Sequence, residues 1–422
     1  MKDMIKRTLF DQLLKHLKTK EMFLLAGPRQ AGKTYLLTQL KDHLIKQGKA
    51  VAWFNLDIET DRQFFVSQSA LVEQIKLTLG NKPGFVFIDE IQRKENAGLF
   101  LKGLYDMNLP YKFIISGSGS LELKEKIHET STGRKFIFEL NTLSFMEFVH
   151  HRTNYLYEGK PEHFFQTDKI TAENLLNEYL NFGGYPRVVL AQTLAEKTLV
   201  INEIWQSYLE RDIAYLIGLK KTEEFIHLVK VLASQIGQMI NVHELSDTLN
   251  LAVQTVNLYL WYLEKTYILQ RLAPFSRNLR KEITKMPVAY FFDLGLRNFS
   301  ANEFGGLAET GRRGFVFQNL VLRLIKEQID KSSSGINFWR TQDKAEVDFV
   351  VSAGQNPLPV EVKYKHLVKP EIPRSLKSFI KKYQPKEALM INLDLETETV
   401  FQKTKVRFLP YWRLLASFKL FA

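Results

Sequence analysis

Leu24-Leu25-Ala26-Gly27-Pro28-Arg29-Gln30-Ala31-Gly32-Lys33-Thr34 contains the pattern G-x-x-x-x-G-K-[ST], with an apolar run before it and a helical pattern after it. Glycine at both ends of such a loop lets backbone N–H groups turn inward around phosphate oxygens, because no Cβ obstructs them. Lys33 then neutralises phosphate charge, and the hydroxyl of Thr34 can ligate Mg²⁺. This stretch predicts an α/β fold that is built around a site for a nucleoside triphosphate.

A second motif follows four apolar residues at Phe85-Val86-Phe87-Ile88, which lead directly into Asp89 and Glu90. This is the pattern of a buried parallel strand that ends in carboxylates. Ligands of open α/β sheets bind at the carboxyl ends of strands, so we expect Asp89 beside the phosphate loop. There Asp89 would hold Mg²⁺ and Glu90 would polarise the attacking water. The alternative is a buried strand that merely ends in a solvated turn.

A third strand candidate, Phe113-Ile114-Ile115, ends in Ser116-Gly117-Ser118. A hydroxyl at this place would lie near the γ-phosphate and sense its loss, although serine and glycine are also expected in any turn after a strand. The predicted nucleotide-binding residues are therefore Gly27, Pro28, Arg29, Gln30, Ala31, Gly32, Lys33, Thr34, Ser116 and Ser118.

The composition is that of a globular protein: 422 residues, of which 45% are hydrophobic and 25% are charged. Such a length suggests two to four domains. No apolar run is long enough to span a bilayer, and the N-terminus lacks a signal-peptide core, so we expect a cytoplasmic protein that does not enter the membrane. Because there are no cysteines, disulfides and thiolate zinc sites are excluded.

The formal net charge of +12 favours a polyanionic partner, with nucleic acid first and DNA ahead of RNA. Denser basic patches lie at 271–285 and 363–382. Solvated lysines alone would also account for the charge. No strongly basic amphipathic helix points to a membrane surface.

The order of strand and helix patterns divides the chain into four regions. They are a P-loop ATPase core at 1–142, a helical lid or linker region at 143–238, a winged helix-turn-helix at 239–275 and a mixed strand and helix region at 276–422. Within the second region, Phe182-Gly183-Gly184-Tyr185-Pro186 must interrupt any helix.

The winged helix-turn-helix prediction rests on a short helix at 242–249, a turn at Asn250-Leu251-Ala252, a second helix through Lys265 and a strand at 267–272. The second helix of this layout can enter a major groove. However, its outward positions carry few cations, and such modules also contact proteins.

The last region contains Asp348, Glu361 and Lys363 in the spacing D-x₁₂-E-x-K. On a strand, Glu361 and Lys363 point to one face, and Asp348 can join them from a neighbouring strand. Asp348 and Glu361 would then bind Mg²⁺ while Lys363 orients a hydrolytic water. Strands also carry E-x-K by accident.

Taken together, these motifs resemble a prokaryotic AAA+-like P-loop ATPase family in which a winged helix and a C-terminal restriction-endonuclease-like domain follow the ATPase domain. The resemblance covers nearly the whole chain. Besides the phosphate loop, it is carried by Arg7, Asp89-Glu90-Ile91-Gln92, Gly117-Ser118, Gly133-Arg134, Leu143-Ser144-Phe145, Gly183-Gly184-Tyr185-Pro186, Arg211-Asp212-Ile213, Lys285, Asp293, Gly295, Leu296 and Glu346-Val347-Asp348-Phe349.

The resemblance implies ATP and Mg²⁺ as cofactors, catalysis by Lys33 and Glu90, and a nuclease-like PD-(D/E)XK fold in the last region. It also implies that Arg134 acts as an arginine finger or γ-phosphate sensor, although a surface arginine at a turn is the alternative. The family usually has a glutamate where this chain has Gln318, and an amide lacks the negative charge that a metal ligand needs. Nuclease activity is therefore doubtful.

Three functions remain open at this point. The first is ATP hydrolysis that drives changes on or near nucleic acid, and the second is a nucleotide-dependent switch that binds a protein partner. In the second, the winged helix and the nuclease-like domain are contact surfaces only. The third is a metal-dependent nuclease gated by ATP. Assembly into a homo-oligomer is compatible with each of them.

Overall fold

The structure is a computed structural model that describes residues 5–118, 133–208, 222–276, 286–329, 334–353 and 356–415. Arg211-Asp212-Ile213 and Lys285 lie outside these residues, as does most of the basic patch at 271–285. Within the described ranges, no helix is long and apolar enough to cross a membrane.

The N-terminal region is a parallel five-stranded sheet in the order β2-β3-β4-β1-β5. Its strands are β1 (Met22–Gly27), β2 (Val51–Asn55), β3 (Gly84–Asp89), β4 (Tyr111–Ser118) and β5 (Lys135–Glu139). The helices are α1 (Leu9–His16), α2 (Lys33–Lys46), α3 (Glu59–Arg62), α4 (Gln68–Leu79) and α5 (Ala97–Asp106).

Both faces of the central strands of this sheet are buried. In β1, Met22 and Leu24 pack in one apolar cluster with α4 and α5, whereas Phe23 and Leu25 pack in another with α1 and α2. Burial on both faces explains the continuous apolar runs of the central strands. The parallel α/β fold that the sequence predicted for this region is confirmed, with small shifts at strand ends.

A mostly helical region follows. Its helices are α6 (Phe145–Arg152), α7 (Pro161–Thr167), α8 (Lys169–Phe182), α9 (Pro186–Leu190), α10 (Leu194–Ser207), α11 (Thr222–Ser234), α12 (Val242–Leu249) and α13 (Val253–Lys265). The side chain of Asn241 caps α12, and Asn250 ends it in the left-handed conformation. The predicted helix-turn-helix pair is therefore present.

A small antiparallel sheet joins β6 (Leu269–Leu272) to β7 (Val288–Phe291). The predicted boundary between 275 and 276 therefore cuts through a paired sheet. Helix α14 (Leu294–Ser300) also packs against α8, α10 and α11 rather than against the C-terminal sheet. The region that begins with the helix pair therefore extends through α14.

The C-terminal region is a mixed six-stranded sheet in the order β12-β13-β11-β10-β9-β8. Helices α15 (Arg313–Gln328) and α16 (Arg374–Tyr383) cover its two faces in separate apolar clusters. The strands are β8 (Ser334–Arg340), β9 (Glu346–Ala353), β10 (Asn356–Val362), β11 (Glu387–Asn392), β12 (Thr397–Phe401) and β13 (Thr404–Pro410).

The three regions meet at a buried junction. The N–H of Leu143 donates to the carbonyl of Gly184 at 2.7 Å, and the N–H of Gly184 donates to Asp293 Oδ2 at 2.9 Å. Arg323 on α15 donates to Thr142 Oγ1 at 3.2 Å. A Cβ at Gly184 would lie 2.4 Å from the carbonyl oxygen of Leu143, so only glycine permits this approach. Helix α9 begins at Pro186, two residues after Gly184.

Candidate functional site

The phosphate loop connects β1 to α2. Gly27 has a φ of +156°, and a Cβ there would lie 2.1 Å from the carbonyl oxygen of Leu140. Gly32 and Gln30 have φ angles of 92° and 56°. Left-handed residues in such a loop turn successive N–H groups to one side, which forms a concave anion site. The two glycines are therefore required by the backbone.

Positive charge is concentrated at this loop. Lys33 is buried at the start of α2, and its Nζ donates to the carbonyl oxygens of Gly27 at 3.1 Å and Pro28 at 2.7 Å. Thr34 follows with an exposed side chain. The N-terminus of α2 adds its own partial positive charge. The arrangement suits a phosphate group.

Asp89 lies at the end of β3, next to Ser116 on β4, and is 1% exposed. The Ser116 hydroxyl and the Glu90 N–H both donate to Asp89 Oδ1, the latter at 3.1 Å. Asp89 Oδ2 is buried and finds no hydrogen-bond donor in the part of the chain that the structure describes. An orphaned buried carboxylate oxygen fits a cation or its bound water. Asp89 and Thr34 both carry oxygen atoms, the kind of ligand that Mg²⁺ prefers.

Glu90 adopts a left-handed φ of 58° and accepts a hydrogen bond from the side chain of Gln92. Burial raises the pKa of Glu90 above the usual range of glutamate, and the charge of Lys33 opposes that rise. A carboxylate with a raised pKa is a better proton acceptor than an ordinary one. Its position beside Asp89 suits a group that acts on water.

Two further predicted residues have different outcomes. Ser118 pairs with Gly27 in the register of β4 and β1, and its side chain lies outside the described part of the structure. Arg134 does not lie at the phosphate loop. Its carbonyl accepts the N–H of Met22 at 3.0 Å, at the start of β1, whereas the loop follows the end of β1.

The separation between these two ends of β1 is roughly 16 Å at the rise of a β-strand. Arg134 instead forms an ion pair of 3.0 Å with Asp106. Arg134 therefore lies at the end of β1 opposite the phosphate loop of its own chain, and its role as a γ-phosphate sensor stays a prediction. A role as an arginine finger would require a second chain.

Two other arginines contact the loop from outside, and the sequence motifs assigned neither a role there. Arg187 Nη1 donates to Gln30 Oε1 at 3.0 Å, and Arg7 Nη1 donates to the carbonyl oxygen of Ala31 at 2.8 Å. The only sequence signals were the glycine pair before Pro186 and the position of Arg7 in the family resemblance. Neither signal indicates contact with the loop.

In the C-terminal region, the structure brings Asp348, Glu361 and Lys363 together. Lys363 Nζ lies 2.8 Å from Glu361 Oε1, and the N–H of Val362 donates to Asp348 Oδ2 at 2.7 Å. Gln318 Nε2 donates to Asp348 Oδ1 at 2.8 Å. Both oxygens of Asp348 thus have protein donors.

The electrostatics of this cluster disfavour two free carboxylates. Burial and the neighbouring Glu361 raise the pKa of Asp348 well above its usual range, and burial also raises the pKa of Glu361. Glu361 Oε2 is buried without a hydrogen-bond donor among the described residues. Over the same residues, no group of three or more His, Asp or Glu side chains is arranged to hold a metal ion.

The outer face of the helix-turn-helix pair is not basic. On α13, Gln254, Asn257 and Leu258 are exposed, and on α12 the exposed side chains include Glu244 and Asp247. Two carboxylates on this face would repel a phosphate backbone. Among the described residues, the exposed positions of α12 and α13 carry no lysine or arginine.

Comparison with known families divides the chain into three matches. Residues 19–149 match a family described as an AAA domain. Residues 173–305 match a domain of unknown function, DUF8612, and residues 313–414 match another, DUF4143. The second match runs through α14, in agreement with the observed packing.

Similar proteins occur in both bacteria and archaea. An uncharacterized protein of Haemophilus influenzae is 26% identical over 364 residues, which cover 84% of this chain and 85% of that protein. An uncharacterized protein of Methanocaldococcus jannaschii is 24% identical over 402 residues, which cover 92% of this chain and 86% of that protein. The similarity therefore extends over all three regions.

Among solved structures, Drosophila ORC bound to DNA gives a TM-score of 0.30 at 13% identity and covers 70% of this chain and 94% of its own. AMPPCP-bound DnaA from Aquifex aeolicus gives 0.24 at 16% identity and covers 61% of this chain and 86% of its own. TM-scores this low do not bear on the arrangement or the ligands of this chain. The family match, the parallel sheet and the phosphate loop together identify the N-terminal region as a P-loop domain of the AAA type.

Proposed function

We propose that this chain binds Mg²⁺ and ATP at the phosphate loop and hydrolyses the nucleotide. The observation that carries the proposal is Asp89 Oδ2, a buried acceptor without a protein donor among the described residues, next to a loop that presents Lys33 and the start of α2. Thr34 and Asp89 would hold Mg²⁺, which supplies charge neutralisation for the phosphates when bound. The choice of ATP over GTP rests on the AAA family match.

The positions of Lys33, Glu90 and Ser116 support a catalytic role for each of them. Lys33 would leave the carbonyls of Gly27 and Pro28 to pair with a phosphate, which is the stronger acceptor. Glu90 orients a water and accepts its proton, a role that its raised pKa supports. Ser116 keeps the Asp89 carboxylate in one orientation.

We further propose that the ATPase acts on or near nucleic acid. The net charge of +12 and the exposed cations Lys365, Arg374, Lys381 and Lys382 support this partner. The nuclease-like domain would contribute binding rather than cleavage. The support for that view is the amide of Gln318, which donates to Asp348 where a carboxylate would be needed to ligate a metal.

A second candidate function is a nucleotide-dependent switch that binds a protein. It is favoured by the exposed face of α12 and α13, where Glu244 and Asp247 accompany the half-exposed Leu258. An acidic and apolar face suits a protein surface better than a phosphate backbone. In this case, the C-terminal region would also be a contact surface.

Steady-state ATP hydrolysis separates these proposals. Wild-type protein and Glu90→Gln are compared with Mg²⁺ at low salt, with and without duplex DNA, and Lys33→Ala reports on the phosphate loop. Stimulation by DNA that disappears in Glu90→Gln supports action on nucleic acid. Turnover that is indifferent to DNA supports the protein switch, and a Lys33→Ala variant that hydrolyses ATP at the parental rate would overturn the site.

A further inference from the structure

Arg7 makes three hydrogen bonds, one to the phosphate loop, one to the segment after β5 and one to helix α6. Its Nη1 donates to the carbonyl of Ala31 at 2.8 Å, its Nη2 to the carbonyl of Asn141 at 2.6 Å and its Nε to Glu147 Oε2 at 3.1 Å. The residue is 7% exposed. The donors of a planar guanidinium leave three different nitrogen atoms in fixed directions, whereas the donors of a lysine all leave one nitrogen atom.

The hydrogen bond to Ala31 determines the orientation of one peptide group in the loop. In a planar trans peptide, the C=O and the following N–H point in opposite directions. Because Arg7 draws the carbonyl of Ala31 toward itself, the N–H of Gly32 points away from Arg7. Gly32 has a φ of 92°, which a loop that gathers N–H groups around an anion requires.

Glu147 holds Arg7 in place. Its carboxylate is 5% exposed and accepts from the N–H of Thr8 at 2.8 Å and from the N–H of Ser144 at 3.0 Å, besides Arg7. Ser144 in turn caps α6 through the N–H of Glu147. Each donor and acceptor of the ion pair is therefore fixed by backbone, and the pair has little freedom to move.

We propose that Arg7 is a positioning residue for phosphate binding, which holds the peptide between Ala31 and Gly32 so that the Gly32 N–H faces the triphosphate of the bound nucleotide. This inference rests on the proposed function. Arg7 acts through the loop backbone and does not itself touch the nucleotide. Without it, the peptide is free to turn its carbonyl oxygen toward the phosphates, and that oxygen repels them.

The test uses the full chain. Calorimetry measures the Kd of a non-hydrolysable ATP analogue in the presence of Mg²⁺. Arg7→Lys keeps the charge but cannot span the three acceptors, and Glu147→Gln removes the group that orients Arg7. Arg297→Lys is the matched control, since Arg297 is also buried, pairs with Glu303 and donates to the carbonyl of Ala233 at 2.8 Å in the helical region. Circular dichroism gives the unfolding temperature of each variant.

We expect Arg7→Lys to raise the Kd by about tenfold, Glu147→Gln to raise it in the same direction, and Arg297→Lys to change it by less than about twofold. Adenosine, which has no phosphates, reports on the rest of the site, and its affinity should not change. An Arg7→Lys protein that loses as much thermal stability as the control but binds the analogue normally overturns the inference. Equal losses for the analogue and adenosine overturn it too.

Failure of the proposed function has a different signature. If the wild-type protein does not bind the analogue, or if Lys33→Ala binds it with wild-type affinity, then the phosphate loop is not the nucleotide site. If the wild-type protein binds the analogue, Lys33→Ala does not, and Arg7→Lys binds it with wild-type affinity, then the ATPase proposal stands and the role of Arg7 is wrong.

Discussion

Nη1 of Arg187 lies 3.0 Å from Oε1 of Gln30 in the phosphate loop, although 157 positions separate the two residues in the chain. The same guanidinium is held by both carboxylate oxygens of Glu203, at 2.6 Å and 2.8 Å. The helix that carries Arg187 begins at Pro186, directly after the buried junction at Gly184. The fold therefore places a cation of the helical region next to the phosphate loop.

We predict that Arg187→Ala lowers the affinity for ATP, so that the KM of hydrolysis becomes about tenfold higher. The reason is that the guanidinium can exchange Gln30 for a phosphate oxygen, which is the stronger acceptor. The measurement is steady-state hydrolysis against ATP concentration. Arg340→Ala serves as the control, because Arg340 forms a comparable partly exposed ion pair with Glu346 at 3.2 Å in the C-terminal region. Equal effects of the two substitutions would contradict the prediction.

Asp89→Asn should abolish Mg²⁺-dependent hydrolysis, with a loss of about 100-fold or more in kcat. Ser116→Ala should have a smaller effect in the same direction, because it frees the carboxylate to rotate but leaves its charge. The measurement is hydrolysis as a function of Mg²⁺ concentration. If Ser116→Ala were as inactive as Asp89→Asn, the hydroxyl would have a direct role that this prediction excludes.

Arg134→Ala should hydrolyse ATP at the wild-type rate in dilute solution, because Arg134 lies at the end of β1 opposite the phosphate loop. A finger that acts between copies is tested by mixing Arg134→Ala with Lys33→Ala at high protein concentration. The first variant keeps the loop and the second keeps the arginine. We expect the activity of the mixture to equal the sum of the activities of the two variants, and an activity above that sum would show that the site is shared between chains.

Gln318→Glu should make the thermal stability of the protein depend on Mg²⁺ more strongly than it does in the wild type. A third carboxylate beside Asp348 and Glu361 adds repulsion in a partly buried cluster, so the unfolding temperature should fall without metal and recover in millimolar Mg²⁺. Gln254→Glu, on an exposed face, is the control. Its unfolding temperature should neither fall without metal nor rise when Mg²⁺ is added. An equal response of wild-type protein to Mg²⁺ would show that the cluster already holds the ion.

Because of Lys112, we expect the free energy of unfolding to rise at alkaline pH. It is 8% exposed, and burial lowers its pKa to about 8. Above that pH, the unfolded chain still holds a proton that the folded chain has released, so the free energy of unfolding rises by up to about 1.4 kcal/mol per pH unit. Urea unfolding at about pH 7.5 and about pH 9.5 measures this slope. It should decrease in Lys112→Met and stay unchanged in Lys46→Met, where the side chain is exposed.

The sequence alone predicted the first sheet and the helix pair well, because both depend on local patterns. Runs such as Phe85-Val86-Phe87-Ile88 have no polar position, which only a strand buried on both faces explains. Likewise, α12 ends at Asn250 because asparagine adopts the left-handed conformation more readily than most residues. Neither prediction needed contacts between distant residues.

The features that the sequence did not reveal involve long-range pairing. Strand β6 pairs with β7 across the predicted boundary at 275, over a long connection, and no pattern in the sequence marks that pairing. The family resemblance assigned Arg134 to the nucleotide site by its position in a motif. Because β5 runs parallel to β1, Arg134 lies beside the start of β1, whereas the phosphate loop follows the end of β1. Its ion pair with Asp106 is a consequence of that topology.

The amino-acid sequence by itself determined a phosphate loop, because glycine spacing and a following lysine act over a few consecutive residues. It also determined the carboxylates at the end of β3, since the end of an apolar strand is visible in the chain. Only the tertiary structure decided that Arg7 and Arg187 reach the same loop from distant segments, and that Gln318 meets Asp348. The physical reason is that contacts between residues distant in the sequence depend on how helices and strands pack together. No single segment of the sequence determines that packing.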